Sequence, residues 1–284
     1  MTRGRRRALD GAVVLITGAS SGVGAALARA ASAEGAKLIL AARSRDATRR
    51  LADACVAAGG DAVAVVCDVT DPGACRDAVD AAVARHGRLD VAVACAGIGM
   101  RAPFASLEDL EVLERVMRVD YFGTAHLFHA ALPHVLASHG ALVAVSSLQG
   151  RVGVPHRSGY VAAKHAVQGL CDALRLELRG SGVDVVTVLP HWVRGTAFRA
   201  RALDAYGSER GDAADGHGRT AVTAERAAAA VLDAIRWRRR ETYVPGWTRF
   251  LAWASLLAPG LADRIVTRGT LSGANVVRTG RRRP

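Results

Sequence analysis

Residues 12–24 of this 284-residue chain read AVVLITGASSGVG, and they decide its fold. The apolar first half predicts a buried strand over Ala12–Thr17, and the pattern after the turn predicts a helix over Gly24–Glu34. Glycines let the backbone turn sharply and approach a pyrophosphate at a helix N-terminus, where free N–H groups favour anions. The stretch therefore predicts a dinucleotide site, the alternative being a structural turn without a ligand. Its candidate binding residues are Gly18, Ser20, Ser21, Gly22, Val23 and Gly24.

Short runs rich in Val, Ile and Leu recur along the chain without polar alternation, as is typical of strands buried on both faces. After Ala12–Thr17, the predicted strands are Lys37–Ala42, Ala62–Cys67, Asp90–Cys95, Ala141–Ser147, Val183–Leu189 and Glu241–Pro245. The segments between them predict helices, among them Pro72–His86 behind a capping Asp71, Gly159–Arg179 and Ala224–Trp237. This alternation predicts an α/β fold: a doubly wound, Rossmann-type parallel sheet of about seven strands with helices on both faces.

No internal repeat or linker divides the chain. We predict a basic N-terminal tail over residues 1–10, one Rossmann-type domain over 11–245, and a C-terminal extension over 246–284 that is first apolar and then basic. Within the domain, the glycine-rich, charged stretch 195–222 predicts a lid over a substrate.

The composition argues against a disordered chain, a membrane-spanning helix, disulfide bonds and a metal site. Hydrophobic residues make up 50% and charged residues 23% of the chain, which excludes wholesale disorder. The sequence contains no apolar run of about 18 residues, the length that a spanning helix needs. The five cysteines lack CxxC spacing, so we expect reduced thiols and a cytoplasmic protein. Four histidines lie close together without a neighbouring carboxylate or cysteine, so we expect no metal site there; they are His126, His129, His134 and His139.

The net charge of +12 raises the question of nucleic-acid binding. Eight arginines stand at the two ends, where no acid accompanies them: Arg3, Arg5, Arg6, Arg7, Arg278, Arg281, Arg282 and Arg283. Without a recognised binding motif, such tails predict solvated ends and no specific nucleic-acid partner.

The end of the second predicted strand concerns cofactor choice. Residues 40–45 contain no acid that would bind the ribose hydroxyls of NAD, and they contain Arg43 and Arg45, which can pair with a 2′-phosphate. This pattern favours NADP(H); the alternative is ordinary loop arginines in an arginine-rich chain.

Ser147, Tyr160 and Lys164 form the strongest local signal. Tyr160 and Lys164 are four residues apart on a predicted helix, so their side chains share a face. A nearby ammonium stabilises a phenolate, so we expect Lys164 to lower the pKa of Tyr160 towards neutrality and make it a general acid or base. Ser147, at the C-terminal end of its strand, can hydrogen-bond the reacting oxygen.

Residues 10–245 resemble the short-chain dehydrogenase/reductase family in its small single-domain form. The resemblance rests on the glycine turn, Asp68-Val69 after the third strand, Ala96-Gly97 after the fourth, and the Ser147, Tyr160 and Lys164 set. It implies that the glycine turn binds the pyrophosphate, that Arg43 binds the adenosine phosphate and that Asp68 and Val69 contact adenine. It further implies the following residues along the cofactor: Ala96, Gly97, Tyr160, Lys164, Pro190, Val193 and Thr196. Tyr160 would protonate a carbonyl oxygen, Lys164 would tune it, and Ser147 would orient the substrate.

Three positions depart from the family pattern. Cys95 replaces an asparagine that braces the sheet, and His191 follows Pro190 in place of a glycine, with the next threonine offset to Thr196. Asp120 replaces the asparagine that anchors a relay water, and we include it among the catalytic candidates. Its carboxylate can hold water, or it can pair with Lys164 and weaken the effect of that lysine on Tyr160.

The resemblance implies an NADPH-dependent oxidoreductase acting on a carbonyl or secondary alcohol. We expect an apolar substrate, because Phe104, Val152, Val154, Trp192 and Phe198 flank the predicted pocket segments 100–107, 148–159 and 195–220. The alternatives are a cofactor-binding but catalytically silent scaffold or sensor, suggested by Asp120 and His191, and a non-redox epimerase or dehydratase.

The remaining expectations concern partners. The resemblance implies a homodimer or homotetramer formed through the helices at 123–138 and 159–179. The apolar stretch 247–268 could cover the pocket, pack at a subunit contact or lie on a membrane surface.

Overall fold

The computed structural model describes residues 7–211 and 221–271. Most of the predicted N-terminal tail, residues 212–220 of the predicted lid and the basic end beyond residue 271 lie outside the described residues. The strands, in chain order, are β1 (Val13–Thr17), β2 (Lys37–Ala42), β3 (Asp61–Val66), β4 (Val91–Ala94), β5 (Ala141–Val145), β6 (Asp184–Pro190), β7 (Val193–Arg194), β8 (Val222–Thr223) and β9 (Glu241–Val244).

Seven of these strands form one parallel sheet in the order β3-β2-β1-β4-β5-β6-β9. The order reverses direction at β1, which lies between β2 and β4. A reversal of this kind opens a crevice at the carboxyl ends of the strands, where open α/β sheets bind their ligands. The predicted doubly wound, seven-stranded sheet is confirmed. The strand ends differ by a residue or two, and β5 ends at Val145, which leaves Ser147 beyond the sheet edge.

The helices are α1 (Gly22–Ala33), α2 (Arg45–Ala57), α3 (Pro72–His86), α4 (Glu111–Met117), α5 (Gly123–Ala137), α6 (Ser158–Glu177), α7 (Ala224–Arg236), α8 (Arg249–Leu257) and α9 (Pro259–Leu271). The predicted start of α3 is confirmed, since the Asp71 side chain accepts a hydrogen bond from the Gly73 N–H at 2.7 Å and Pro72 is the first helical residue. A π-helical turn over Arg118–Phe122 joins α4 to α5; the sequence did not predict it.

Helices cover both faces of the sheet. One core layer packs β1 residues Val14 and Ile16 against α1, α2 and α7, and the other packs Val13 and Leu15 against α3, α5 and α6. Successive side chains of a strand point to opposite faces, so an uninterrupted apolar strand such as β1 supplies both layers.

The C-terminal extension forms α8 and α9 beside β9. Ala252 of α8 is buried against Leu148 and Val152, and Leu251 and Val266 pack on the same cluster. Seven large apolar side chains on or next to these helices are exposed: Trp247, Phe250, Trp253, Leu256, Leu257, Leu261 and Ile265. Within the described residues, no helix is long and apolar enough to cross a membrane.

Candidate active site

A cavity of about 560 Å³ runs along the carboxyl ends of the strands, from the end of β2 to the end of β6. We call its first part, around the α1 turn with Arg43 and Asp68, the glycine end. The other part, around Ser147, Tyr160 and Lys164, is the tyrosine end. Every predicted cofactor-binding residue lines this cavity: Gly18, Ser20, Ser21, Gly22, Val23, Gly24, Arg43, Asp68, Val69, Ala96, Gly97, Tyr160, Lys164, Pro190, Val193 and Thr196.

The glycine turn has a geometry that only glycine suits. Gly18 has a φ of +67°, and a Cβ built there would stand 2.7 Å from Ala96 Cα. Gly22, the first residue of α1, has a φ of +56°. The side chain of Ser21, the N-cap residue, makes no capping hydrogen bond to the first turn. Backbone therefore lines the cavity closely at a helix N-terminus, which fits a dinucleotide pyrophosphate.

Residues that follow β2 and β3 lie at the predicted adenosine position. Arg43 and Ser44 line the cavity directly after β2, and Asp68 lines it after β3. Asp68 is fixed by hydrogen bonds that its Oδ1 accepts from the N–H and hydroxyl of Thr70, at 3.0 and 2.8 Å. Arg45 begins α2 and does not line the cavity, so the expectation that it shares the role of Arg43 is not supported.

The structure brings Ser147, Tyr160 and Lys164 together at the tyrosine end. Ser147 follows β5, and its Oγ accepts a hydrogen bond from the Gln149 N–H at 3.1 Å. Tyr160 and Lys164 both lie on α6 with 6% and 5% of their surface exposed. Ser147 and Tyr160 line the same end of the cavity, and Lys164 Nζ lies 5.5 Å from the centre of the Tyr160 ring. The four-residue spacing on α6 therefore places Tyr160 and Lys164 together, as predicted.

Asp120 lies behind this cluster. It is fully buried and does not line the cavity, which corrects its place among the catalytic candidates. Its Oδ2 is 2.9 Å from Lys164 Nζ, and its Oδ1 accepts a hydrogen bond from the Ile98 N–H at 2.8 Å. Of the two roles considered for its carboxylate, the structure therefore shows the ion pair, which joins Asp120 to Lys164 and not to the cavity.

The protonation of Tyr160 also differs from expectation. Burial raises the pKa of Tyr160 above its ordinary value, Lys164 opposes this rise, and Asp120 adds to it. The expected fall towards neutrality is wrong for this structure, because desolvation penalises the phenolate and Asp120 partly neutralises the ammonium. The same ion pair raises the pKa of Lys164, while burial raises that of Asp120. Tyr160 is thus a protonated phenol at neutral pH.

Two of the unusual residues are neutral side chains near this cluster. Burial lowers the pKa of His191 to about 4 and raises that of Cys95 to about 12.

Thr17 connects β1 to β4 at the position where Cys95 replaces asparagine. The Thr17 hydroxyl donates a hydrogen bond to Val93 O at 3.2 Å and accepts one from the Cys95 N–H at 3.2 Å.

The wall opposite the glycine end differs most from the predicted apolar pocket. Trp192 and Phe198 line the cavity as predicted, but Phe104 is exposed and Val152 packs against Ala252. Residues 100–107 do not line the cavity. Several lining side chains that the sequence analysis missed are polar or charged: Gln149, Arg157, Arg199, Arg201 and Glu209. The one signal in the sequence was the position of Arg157, three residues before Tyr160.

Within the described residues, no three His, Cys, Asp or Glu side chains are grouped so that they could hold a metal ion. His126 instead lies with its ring Nδ1 3.0 Å from Val69 O, and His139 with its Nδ1 2.9 Å from Ser181 O.

The chain is similar to short-chain dehydrogenases over most of its length. A family model described as short chain dehydrogenase matches residues 12–206. The dehydrogenase/reductase SDR family member 7B of Rattus norvegicus is 34% identical over 268 residues, which cover 91% of this chain and 81% of that protein. The 11-beta-hydroxysteroid dehydrogenase-like 4A of Arabidopsis thaliana is 34% identical over 259 residues, which cover 89% and 83%.

Solved structures share the fold. A short chain dehydrogenase/reductase from Burkholderia phymatum in complex with NAD gives a TM-score of 0.76 at 25% identity, covering 88% of this chain and 96% of that chain. An alcohol dehydrogenase from the archaeon Thermococcus sibiricus, complexed with 5-hydroxy-NADP, gives 0.70 at 24% identity, covering 82% and 95%. The neighbours thus include complexes with both types of nicotinamide cofactor.

Proposed function

Because the chain belongs to the short-chain dehydrogenase/reductase family, we propose that it is an NADP(H)-dependent oxidoreductase that interconverts a carbonyl and a secondary alcohol on a largely apolar carbon skeleton. The observation that carries this proposal is the buried Tyr160, which lies beside Lys164 and lines with Ser147 the cavity that begins at the glycine turn. A phenol kept protonated at neutral pH is suited to donating a proton, which favours carbonyl reduction.

In such a reduction, Tyr160, Ser147 and Lys164 have separate roles. A bound reduced nicotinamide supplies the hydride that adds to the carbonyl carbon. The Tyr160 hydroxyl donates its proton to the carbonyl oxygen, so the C=O becomes an alcohol and Tyr160 a phenolate. The Ser147 hydroxyl donates a hydrogen bond to the same oxygen, and Lys164 stabilises the phenolate until a proton from solvent restores it.

The preference for NADP(H) rests on Arg43. It lines the cavity directly after β2, where a guanidinium can pair with a 2′-phosphate. Residues 40–45, at the end of β2, contain no carboxylate that would bind the free ribose hydroxyls of NAD.

Turnover with a Tyr160→Phe control tests the proposal. We expect NADPH-dependent reduction of a panel of ketones and aldehydes, with kcat reduced at least about a hundredfold in Tyr160→Phe, the range of a lost general acid. NADPH should still raise the melting temperature of the variant. Absence of turnover in a wild-type protein that binds NADPH would favour the silent scaffold or sensor, and product formation without net cofactor consumption would favour an epimerase or dehydratase.

Partners and location follow as further parts of this proposal. We expect a cytoplasmic homodimer or homotetramer, which sedimentation velocity tests.

The exposed apolar side chains of α8 and α9, with Arg249, Arg264 and Arg268 nearby, support peripheral contact with an anionic membrane surface. Co-sedimentation with anionic vesicles tests this contact, and a protein that stays in the supernatant contradicts it.

A further inference from the structure

Arg157 is a buried cation in the wall of the cavity. It precedes α6, lines the tyrosine end, and has only 6% of its surface exposed. Its guanidinium lies over the Trp192 ring, 4.7 Å from the centre, and Arg199 lies 4.7 Å from the centre of the same ring. Trp192 is itself held in place, since its carbonyl accepts a hydrogen bond from the Val222 N–H at 2.8 Å. The guanidinium thus has a defined position beside Tyr160.

The surroundings of Arg157 differ from those of two partly buried arginines. Arg175, whose side chain is 8% exposed, pairs with Asp172 at 2.6 Å, and Arg151 pairs with both Asp172 and Glu241. Among residues 7–211 and 221–271, no carboxylate forms an ion pair with Arg157. Glu209 lines the same cavity but does not pair with it. Burying a guanidinium without an anion costs free energy of desolvation. A guanidinium kept in this state at a binding surface is therefore suited to pairing with an anion of the ligand.

Other arginines lie near Arg157. Burial, together with the like charges of Arg199, Arg101 and Arg210, lowers the pKa of Arg157 to about 10, and Tyr160 opposes this fall. Arg199 and Arg201 line the same cavity. The guanidinium of Arg157, which has no carboxylate partner among the described residues, therefore favours a ligand that brings negative charge.

We propose that Arg157 binds an anionic group of the substrate, a carboxylate or a phosphate monoester, so that the apolar skeleton carrying the reactive carbonyl is that of an oxo acid or its phosphate analogue. This inference rests on the proposed function, because it identifies the substrate class of the same site. The planar guanidinium donates two parallel hydrogen bonds to either anion, and its stacking on Trp192 fixes the plane of that fork. The cofactor phosphates belong to the glycine end, so the anion at Arg157 comes from the substrate.

The experiment compares matched pairs that differ only in charge. In the presence of NADPH, levulinate and its longer-chain homologues are compared with their methyl esters in the wild type, Arg157→Gln, Arg157→Lys and Arg85→Gln. Arg85→Gln is the control: it removes a positive charge outside the cavity, because the Arg85 side chain is 49% exposed and pairs with Asp61. We expect wild type and Arg85→Gln to favour the acids about a hundredfold in kcat/KM, chiefly through KM, and Arg157→Gln to lose that preference. Arg157→Lys should retain part of it, because the charge remains without the fork.

Binding separates this inference from the proposed function. Calorimetric titration of the NADP⁺-loaded protein with octanoate, octyl phosphate and methyl octanoate requires no turnover. Arg157-dependent binding of octanoate identifies a carboxylate site, and Arg157-dependent binding of octyl phosphate alone identifies a phosphate site. If such binding is seen but neither the oxo acids nor the ketone and aldehyde panel turns over, the reductase proposal fails, while the anion site at Arg157 remains. If the uncharged ketones turn over and no anion binds at Arg157, this inference fails and the reductase proposal remains.

Equal kcat/KM for acid and ester in the wild type, or anion binding that survives in Arg157→Gln, would overturn the inference. A structural role is excluded by the melting temperature: Arg157→Gln removes an unpaired buried charge, so it should melt no lower than the wild type.

Discussion

The two ends of the cavity are specified by different kinds of sequence. The glycine end comes mainly from one continuous turn, residues 18–24, completed by Arg43 and Asp68 just after two strands. The charged wall of the tyrosine end comes from segments distant in the chain, where Arg157 precedes α6, Trp192 follows β6 and Arg199 lies beyond β7. Local backbone geometry therefore determines where a cofactor can bind, whereas tertiary packing determines which substrate fits.

The strongest way to break the glycine end is Gly18→Ala. The new Cβ would stand 2.7 Å from Ala96 Cα, at a φ of +67°. We expect the Kd for NADPH to rise at least about tenfold and the protein to lose about 1–3 kcal/mol of stability, because backbone must move on both sides of the turn. Calorimetry and thermal unfolding measure the two effects.

Gly59→Ala is the matched control. Gly59 has a φ of +89°, and nothing lies within 4 Å of the added Cβ. It should show the backbone strain alone, about 1–2 kcal/mol, with NADPH binding unchanged. Equal NADPH binding by Gly18→Ala and the wild type would show that the turn does not lie against the cofactor.

Arg43→Gln sharpens the comparison by changing cofactor choice without affecting the tyrosine end. We expect the Kd for NADPH to rise about tenfold to a hundredfold, since a charge-assisted pair with the 2′-phosphate is lost, while the Kd for NADH stays nearly constant. Arg45→Gln, two residues along and outside the cavity, should change neither. A parallel loss of NADH affinity in Arg43→Gln would mean that Arg43 holds some part of the cofactor common to both.

The smallest effect on function at neutral pH, and the one confined to the tyrosine end, is expected from Asp120→Asn. Asp120 raises the pKa of Tyr160, so removing its charge lowers that pKa. Reduction requires the protonated phenol, which is present below the pKa, so the alkaline limb of kcat should shift to lower pH. Alcohol oxidation requires the phenolate, so its rise with pH should shift in the same direction.

At neutral pH, kcat for reduction by Asp120→Asn should stay within about tenfold of the wild type. Because the change leaves the Lys164 ammonium without its buried partner, stability should fall by up to about 3–5 kcal/mol. Identical pH profiles would show that Asp120 has no influence on Tyr160.

Most of the fold and the glycine end could be predicted from the sequence. Buried parallel strands are short continuous apolar runs, and β1, β2 and α3 follow directly from such runs and from the Asp71 cap. The helical spacing of Tyr160 and Lys164 also gave their common face. The strand ends shifted by one or two residues, and the π-helical turn at Arg118–Phe122 left no mark in the pattern.

The electrostatics of the tyrosine end could not be predicted. The direction of the Tyr160 pKa depends on how far burial outweighs Lys164, and burial is a property of the packed structure. Arg157 could not be distinguished either. The chain has 38 Lys and Arg residues, of which only two are lysines, so the sequence does not single out one arginine among so many. Only the packed structure shows that Arg157 lies in the cavity wall without a carboxylate partner.

The stacking of Trp192 against two guanidinium groups also has an optical consequence. Of the four tryptophans, Trp237, Trp247 and Trp253 are 54%, 50% and 53% exposed, so their emission is that of hydrated indole. Trp192 lies partly buried between Arg157 and Arg199. An excited indole shifts its charge density and responds to nearby ions, so an anion at Arg157 would change the emission of this one residue. A titration in Trp192→Phe identifies that contribution. The chain would thus contain its own fluorescent reporter of whether the cavity is filled.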